Sequence, residues 1–216
     1  MNQKYYAISP SYIFGVVVNS NKTNDLPLHT SSPSDVNPAL RLMWSSEEIQ
    51  GAVVKIAKQL VNSFSEIETV NLIPIMSGAL PFAASLGAVL EDLAPGKWVI
   101  APIFASAYDD DQKIGAPIVE FPSRFNDRVD FNAPAVIVDD MLDSGVTMTT
   151  VVKILSERGF SDIQICVLVD RVLPRKNDIV ADFHALEVGT DHWLVGFGFD
   201  TDQRFRGSSA VYYLDQ

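Results

Sequence analysis

The sequence predicts an α/β domain: a parallel sheet flanked by helices, with a smaller strand-rich subdomain contributed by the two chain termini. Three observations carry this expectation. Strand-like apolar runs alternate with helical patterns between Trp44 and Val169, the mark of parallel strands joined by right-handed crossovers. The run Ile163–Val169 is continuously apolar, as in a strand buried on both faces. The last quarter turns strand-rich again at Ala181–Leu186, Leu194–Phe199 and Ala210–Leu214. Residues 1–216 thus read as one domain, with 44–170 as its core and 1–43 and 171–216 as the terminal parts.

Each element has its own signal. Tyr12–Val18 resembles a signal-peptide core in hydrophobicity. Only Lys4 supplies positive charge ahead of it, however, and Asn19-Ser20-Asn21-Lys22 is no cleavage pattern, so a strand is predicted. Asn19–Asn37 is rich in Ser, Thr, Asn and Pro and reads as a loop, with His29 solvated inside it. Ser45 and Glu48 form a capping box ahead of a helix that buries Ile49, Val53, Ile56, Ala57, Leu60 and Val61. A strand over Thr69–Met76 turns at Ser77-Gly78 into an apolar helix, Gly78–Leu90, with Pro81 near its start. That helix is shorter than the ~20 residues needed to cross a bilayer. Lys97–Phe104 and Val136–Asp139 are further strands, and Val146–Arg158 is a helix closed by Gly159.

Composition narrows the function. Of 216 residues 47% are hydrophobic and 20% charged, a globular balance. Sixteen Lys and Arg against 27 Asp and Glu leave a net charge of −11, which disfavours nucleic acid as a partner. The single cysteine, Cys166, excludes an internal disulfide and a cysteine-rich zinc site and suits a reducing compartment. A soluble cytoplasmic protein with no membrane partner is expected. His184 and His192 lack metal-ligand spacing and read as structural, and Arg175 and Lys176 read as a solvated basic loop.

The most informative segment is Val136-Ile137-Val138-Asp139-Asp140-Met141-Leu142-Asp143-Ser144-Gly145-Val146-Thr147. An apolar strand runs through paired carboxylates and a short loop into a helix. Unsatisfied amides and the positive end of the helix dipole, with the hydroxyls of Ser144 and Thr147, make a phosphate site there. Carboxylates repel phosphate, so they need other partners; ribose hydroxyls and Mg²⁺ satisfy both. The alternative is an ordinary strand–loop–helix in which Asp and Ser only cap.

The full string resembles the phosphoribosyl-pyrophosphate signature of the type I phosphoribosyltransferases. From Trp44 to Leu214, about four-fifths of the chain, the order of elements is similar to their hypoxanthine-guanine branch. Asp170-Arg171, the segment Trp193-Leu194-Val195-Gly196-Phe197-Gly198-Phe199-Asp200, and Arg204-Phe205-Arg206 carry that likeness. The resemblance implies a type I phosphoribosyltransferase-like sheet with a hood built from the termini. It also implies transfer of a phosphoribosyl group to a 6-oxopurine base in a homodimer or homotetramer. Asp139 and Asp140 would hold the ribose hydroxyls, partly through Mg²⁺, and Asp143 would be the general base near purine N7. Ser144, Gly145, Val146 and Thr147 would hold the 5′-phosphate. Trp193 would stack on the base, the Leu194 backbone would read its edge, and Arg171 would face the purine oxygen. Asp200 would hold a second Mg²⁺, Arg206 the pyrophosphate, and Tyr108 would lie in a mobile loop, Tyr108–Gly115. Ser77-Gly78 stands where the family usually has Lys-Gly, often across a cis peptide, Ala107-Tyr108 where it has Ser-Tyr, and Arg171 where it has lysine. A regulatory protein that binds phosphoribosyl pyrophosphate without turnover, and a xanthine-preferring enzyme, are the alternatives.

Overall fold

The computed structural model describes residues 33–108, 114–175 and 177–215. A single helical turn, α1 (Pro33–Val36), leads into β1 (Leu40–Trp44) and α2 (Ser46–Ser63). Then come β2 (Val70–Met76), α3 (Leu80–Leu93), β3 (Trp98–Ile100), β4 (Ile103–Tyr108) and β5 (Ile114–Glu120). After a long connection follow β6 (Ala135–Leu142), α4 (Val146–Glu157), β7 (Ile163–Arg171), β8 (Phe183–Val188), β9 (Leu194–Val195) and β10 (Val211–Leu214).

The main sheet has seven strands in the order β5-β4-β2-β6-β7-β8, with β3 also pairing to β2. All its pairs are parallel except β4–β5. Alternate residues of its central strands feed opposite cores, as the period of two requires. Val136, Val138, Cys166 and Leu168 face α2 and α3, whereas Ile137, Ile165 and Val167 face α4. Two apolar layers therefore grip the central strands. The predicted capping box is formed: the Ser45 hydroxyl accepts from the Glu48 amide, and Glu48 accepts from the Ser45 amide at 2.8 Å. The predicted face of α2 is buried at Ile49, Val53, Ile56, Ala57 and Leu60.

A separate antiparallel sheet, β1-β10-β9, packs around Leu40, Val195, Ala210 and Tyr212 and forms the hood. Its first strand lies at Leu40–Trp44, while the predicted strand Tyr12–Val18 falls outside the described residues. The run predicted as hood strand Ala181–Leu186 instead becomes β8 and pairs parallel to β7 in the main sheet. The strand expected over Leu194–Phe199 stops at Val195, because Gly196, Phe197 and Gly198 all adopt positive φ and turn the chain. The predicted strand Lys97–Phe104 is broken: β3 pairs with Val70–Leu72 and β4 with Ile75 and Met76 on the same edge of β2. Pro102 lies at the break, where it can donate no ladder hydrogen bond.

Candidate active site

Parallel α/β sheets leave a crevice beyond the carboxyl ends of their strands, and the site residues gather there. The end of β2 supplies Met76, Ser77 and Gly78, the end of β6 supplies Asp139 to Leu142, and the β6–α4 loop supplies Asp143, Ser144 and Gly145. With Thr147 from α4 and Arg206 from the hood, these line a cavity of about 380 Å³. Val146, expected among the phosphate ligands, is the first residue of α4 and is not part of this lining. The peptide bond before Ser77 is cis, one residue ahead of the Ser77-Gly78 bond.

β6 continues to Leu142, so Asp139 and Asp140 belong to the strand and the loop is only Asp143-Ser144-Gly145. Gly145 caps α4 at φ 78° and offers no side-chain acceptor, which leaves the first amides of the helix open to an anion. The space a Cβ would need at Gly145 is filled by Ile179 and Asn177, so glycine is required sterically as well as conformationally.

Asp139 and Asp140 stand side by side, with Asp139 Oδ1 accepting the Asp140 amide at 3.0 Å. Burial, reinforced by the neighbouring Asp140 charge, pushes the Asp139 carboxyl well above the ordinary carboxylate range. Burial raises Asp140 too, opposed by its contacts with Asp139 and Met141 and by the charge of Arg206. Two crowded acids beside a polar cavity are the donor set that suits a hard divalent cation, which takes oxygen ligands. Asp200 is oriented differently: its Oδ1 pairs with Arg206 at 2.5 Å and its Oδ2 accepts the Gln203 amide at 2.8 Å. Among the described residues, no group of three or more His, Cys, Asp and Glu side chains is gathered as a metal cage.

A second cavity of about 230 Å³ adjoins the first and is lined by Arg171, Trp193, Leu194, Phe199 and Asp200 together with Asp140, Met141 and Asp143. Trp193 is 53% exposed, and its indole N–H donates to the Asp200 carbonyl at 2.7 Å, which fixes the ring at the mouth. Arg171, at the end of β7, donates to the His192 carbonyl at 2.9 Å. Arg206 donates to the Gly198 carbonyl at 2.7 Å, so the hood turn carries its guanidinium to the first cavity. Tyr108 ends β4 opposite Ile114, while residues 109–113 of the expected mobile loop lie outside the described residues.

Sequence reasoning missed several contributors, among them Met76 and Leu142 of the first cavity. Phe199 and Met141 form part of the second cavity, and Gly198 packs directly on the Gly78 carbonyl and on Asp140. The closely spaced Gly196 and Gly198 were the available signal, since glycines two apart in an apolar run mark a tight turn. His184, read as structural, pairs with Glu187 at 2.9 Å, and His192 stacks on Tyr213 with centroids 4.7 Å apart.

An α/β sheet with uncapped helix amides and paired carboxylates at its carboxyl edge offers donors for an anion beside acceptors for hydroxyls or a cation. The chain belongs to the phosphoribosyl transferase domain family, which it matches over residues 45–202. It is 27% identical over 166 residues to a hypoxanthine-guanine phosphoribosyltransferase of Bacillus subtilis, covering 77% of this chain and 88% of that protein. It is 28% identical over 177 residues to the protein of the same name from Aquifex aeolicus, covering 82% of this chain and 95% of the relative. The fold also matches a crystal structure of a hypoxanthine phosphoribosyltransferase from Staphylococcus aureus. There the TM-score is 0.72 at 20% identity, covering 85% of this chain and 96% of the other.

Proposed function

We propose that the protein transfers a 5-phosphoribosyl group from phosphoribosyl pyrophosphate to hypoxanthine or guanine in purine salvage, with Mg²⁺ as cofactor. One observation carries this reading: the cavity at the start of α4 and a smaller, tryptophan-edged cavity share Asp140, Met141 and Asp143 as a common wall. A ribose lying across that wall would have its 5′-phosphate at Ser144, Gly145 and Thr147 and its base between Trp193 and Arg171. The names of the relatives support the same substrates.

In this mechanism purine N9 forms a bond to ribose C1′ while the bond from C1′ to the pyrophosphate oxygen breaks, its electron pair leaving with pyrophosphate. The proton on purine N7 passes to the Asp143 carboxylate, which lines both cavities. Arg206 faces the leaving group's side, and the open amides of α4 anchor the phosphate without needing to move. Asp139 and Asp140 would hold Mg²⁺, which when bound offsets the charge of the departing pyrophosphate.

The protein would act in the cytoplasm as a homodimer or homotetramer, without nucleic-acid or membrane partners. The exposed Phe104 and Ile118 on the β4–β5 pair support self-association. The test is to incubate it with phosphoribosyl pyrophosphate, Mg²⁺ and hypoxanthine, guanine or xanthine in turn, and to follow nucleotide formation by absorbance. Turnover with xanthine alone would reassign the base, and saturable binding without turnover would make the protein a sensor.

A further inference from the structure

We infer that Arg175 is a positioning residue for phosphate binding: it holds the β6–α4 loop in the orientation that turns its amides into the cavity. Sequence reasoning put Arg175 in a solvated basic loop, but its side chain is only 12% exposed. Its guanidinium donates to the carbonyls of Asp143 at 2.7 Å, Leu142 at 2.8 Å and Arg171 at 2.9 Å, and it pairs with Asp170. Two residues on, Asn177 Nδ2 donates to the Ser144 carbonyl at 3.0 Å.

The carbonyls of Leu142, Asp143 and Ser144 belong to three successive peptide planes. In a planar trans peptide the C=O and N–H point to opposite sides. Drawing these oxygens toward residues 175 and 177 therefore sends the N–H groups of Asp143, Ser144 and Gly145 the other way. Those same residues line the first cavity, and no backbone carbonyl takes their amides among the described residues. The planar fork is what makes this possible, because one guanidinium can reach several carbonyls that a lysine ammonium cannot span together. Asp170, 13% exposed, fixes the fork from behind.

The inference rests on the phosphate assignment of the proposed function, and the ligands of the test keep the two apart. Binding of GMP, guanosine and inorganic phosphate is measured calorimetrically for the parent, Arg175→Lys and Arg175→Gln, with KM for phosphoribosyl pyrophosphate and kcat alongside. Arg175→Lys retains a charge for Asp170 and should melt close to the parent. It should nevertheless weaken GMP and raise that KM by about tenfold or more, while guanosine affinity stays within about twofold and kcat falls less than KM rises. Equal weakening of GMP and guanosine, or no change in GMP, overturns the inference. Where both Arg175 variants melt early, Asn177→Ala, which removes the Ser144 link alone, must show the same split between GMP and guanosine, or the inference fails. A parent that binds phosphate but not GMP refutes the purine reading and leaves Arg175 to be judged on phosphate. A parent that binds neither refutes both.

Discussion

Arg171 Nε stands 3.5 Å from Asp143 Oδ1, a buried guanidinium against a carboxylate that is 57% exposed. The pair is close enough to attract, yet Arg171 Nε has no hydrogen-bond partner. The His192 carbonyl holds the other end of the guanidinium, so the charge beside Asp143 is fixed in place. The carboxylate is thus steered over the second cavity while its oxygens remain accessible. Asp143→Asn keeps the shape and removes the base, and kcat should fall by ~10²–10⁴-fold with GMP affinity largely retained. A folded variant with unchanged kcat would reject Asp143 as the proton acceptor.

The crowded acids of β6 make a prediction about stability. A carboxyl raised by burial binds its proton more tightly in the folded chain than in the unfolded one. Stability therefore falls as pH rises from the ordinary carboxylate range through the raised value of Asp139. In chelator, Asp139→Asn should melt above the parent at about pH 8, and the gap should close near about pH 4. Mg²⁺ should raise the parent's melting temperature and do so less in the variant. A variant that melts lower at both pH values would show that Asp139 is stabilised by its surroundings.

Trp193 gives a direct optical test of the base site. The chain has three tryptophans, and Trp98 is buried with its N–H bonded to the Leu90 carbonyl at 3.2 Å. GMP or IMP should quench the fluorescence saturably, UMP should not, and Trp193→Phe should abolish most of the quench while keeping activity. Trp193→Ala should weaken purine nucleotides by ~5- to 150-fold, the range of aromatic–base stacking. Quenching that survives Trp193→Phe places the purine elsewhere.

Two glycines should respond to alanine with opposite signs. Gly198 has φ 109°, and a Cβ there would run into the Gly78 carbonyl, so Gly198→Ala should cost at least about 1–3 kcal/mol in urea denaturation. Gly51 lies within α2 with nothing within 4 Å of an added Cβ, so Gly51→Ala should add roughly 0.5–1 kcal/mol. Equal midpoints for the two variants would contradict the close packing of the hood turn on Gly78.

Residues that act through their neighbours in sequence were legible before the structure. The Ser45–Glu48 cap, the apolar face of α2 and the strand–loop–helix from Val136 to Thr147 each sit within a short window, where spacing alone encodes the contact. What escaped depends on distant partners. Phe183–Val188 has the pattern of a strand, but only its pairing with Cys166–Arg171 assigns it to the main sheet. Arg175 meets Asp143 across 32 positions, and no local pattern announces that a loop arginine will turn inward. The short β1 likewise gains its identity from pairing with β10.

The wall shared by the two cavities limits how such a protein can diverge. A substitution at Asp140, Met141 or Asp143 alters both cavities at once, so on the proposed reading a lineage could not adjust one half of the reaction there without disturbing the other. Arg171, Trp193, Leu194 and Phe199 touch the second cavity alone. On the proposed reading, those four positions are where a change of preferred base could be selected, or engineered, while the sugar-phosphate half keeps its inheritance.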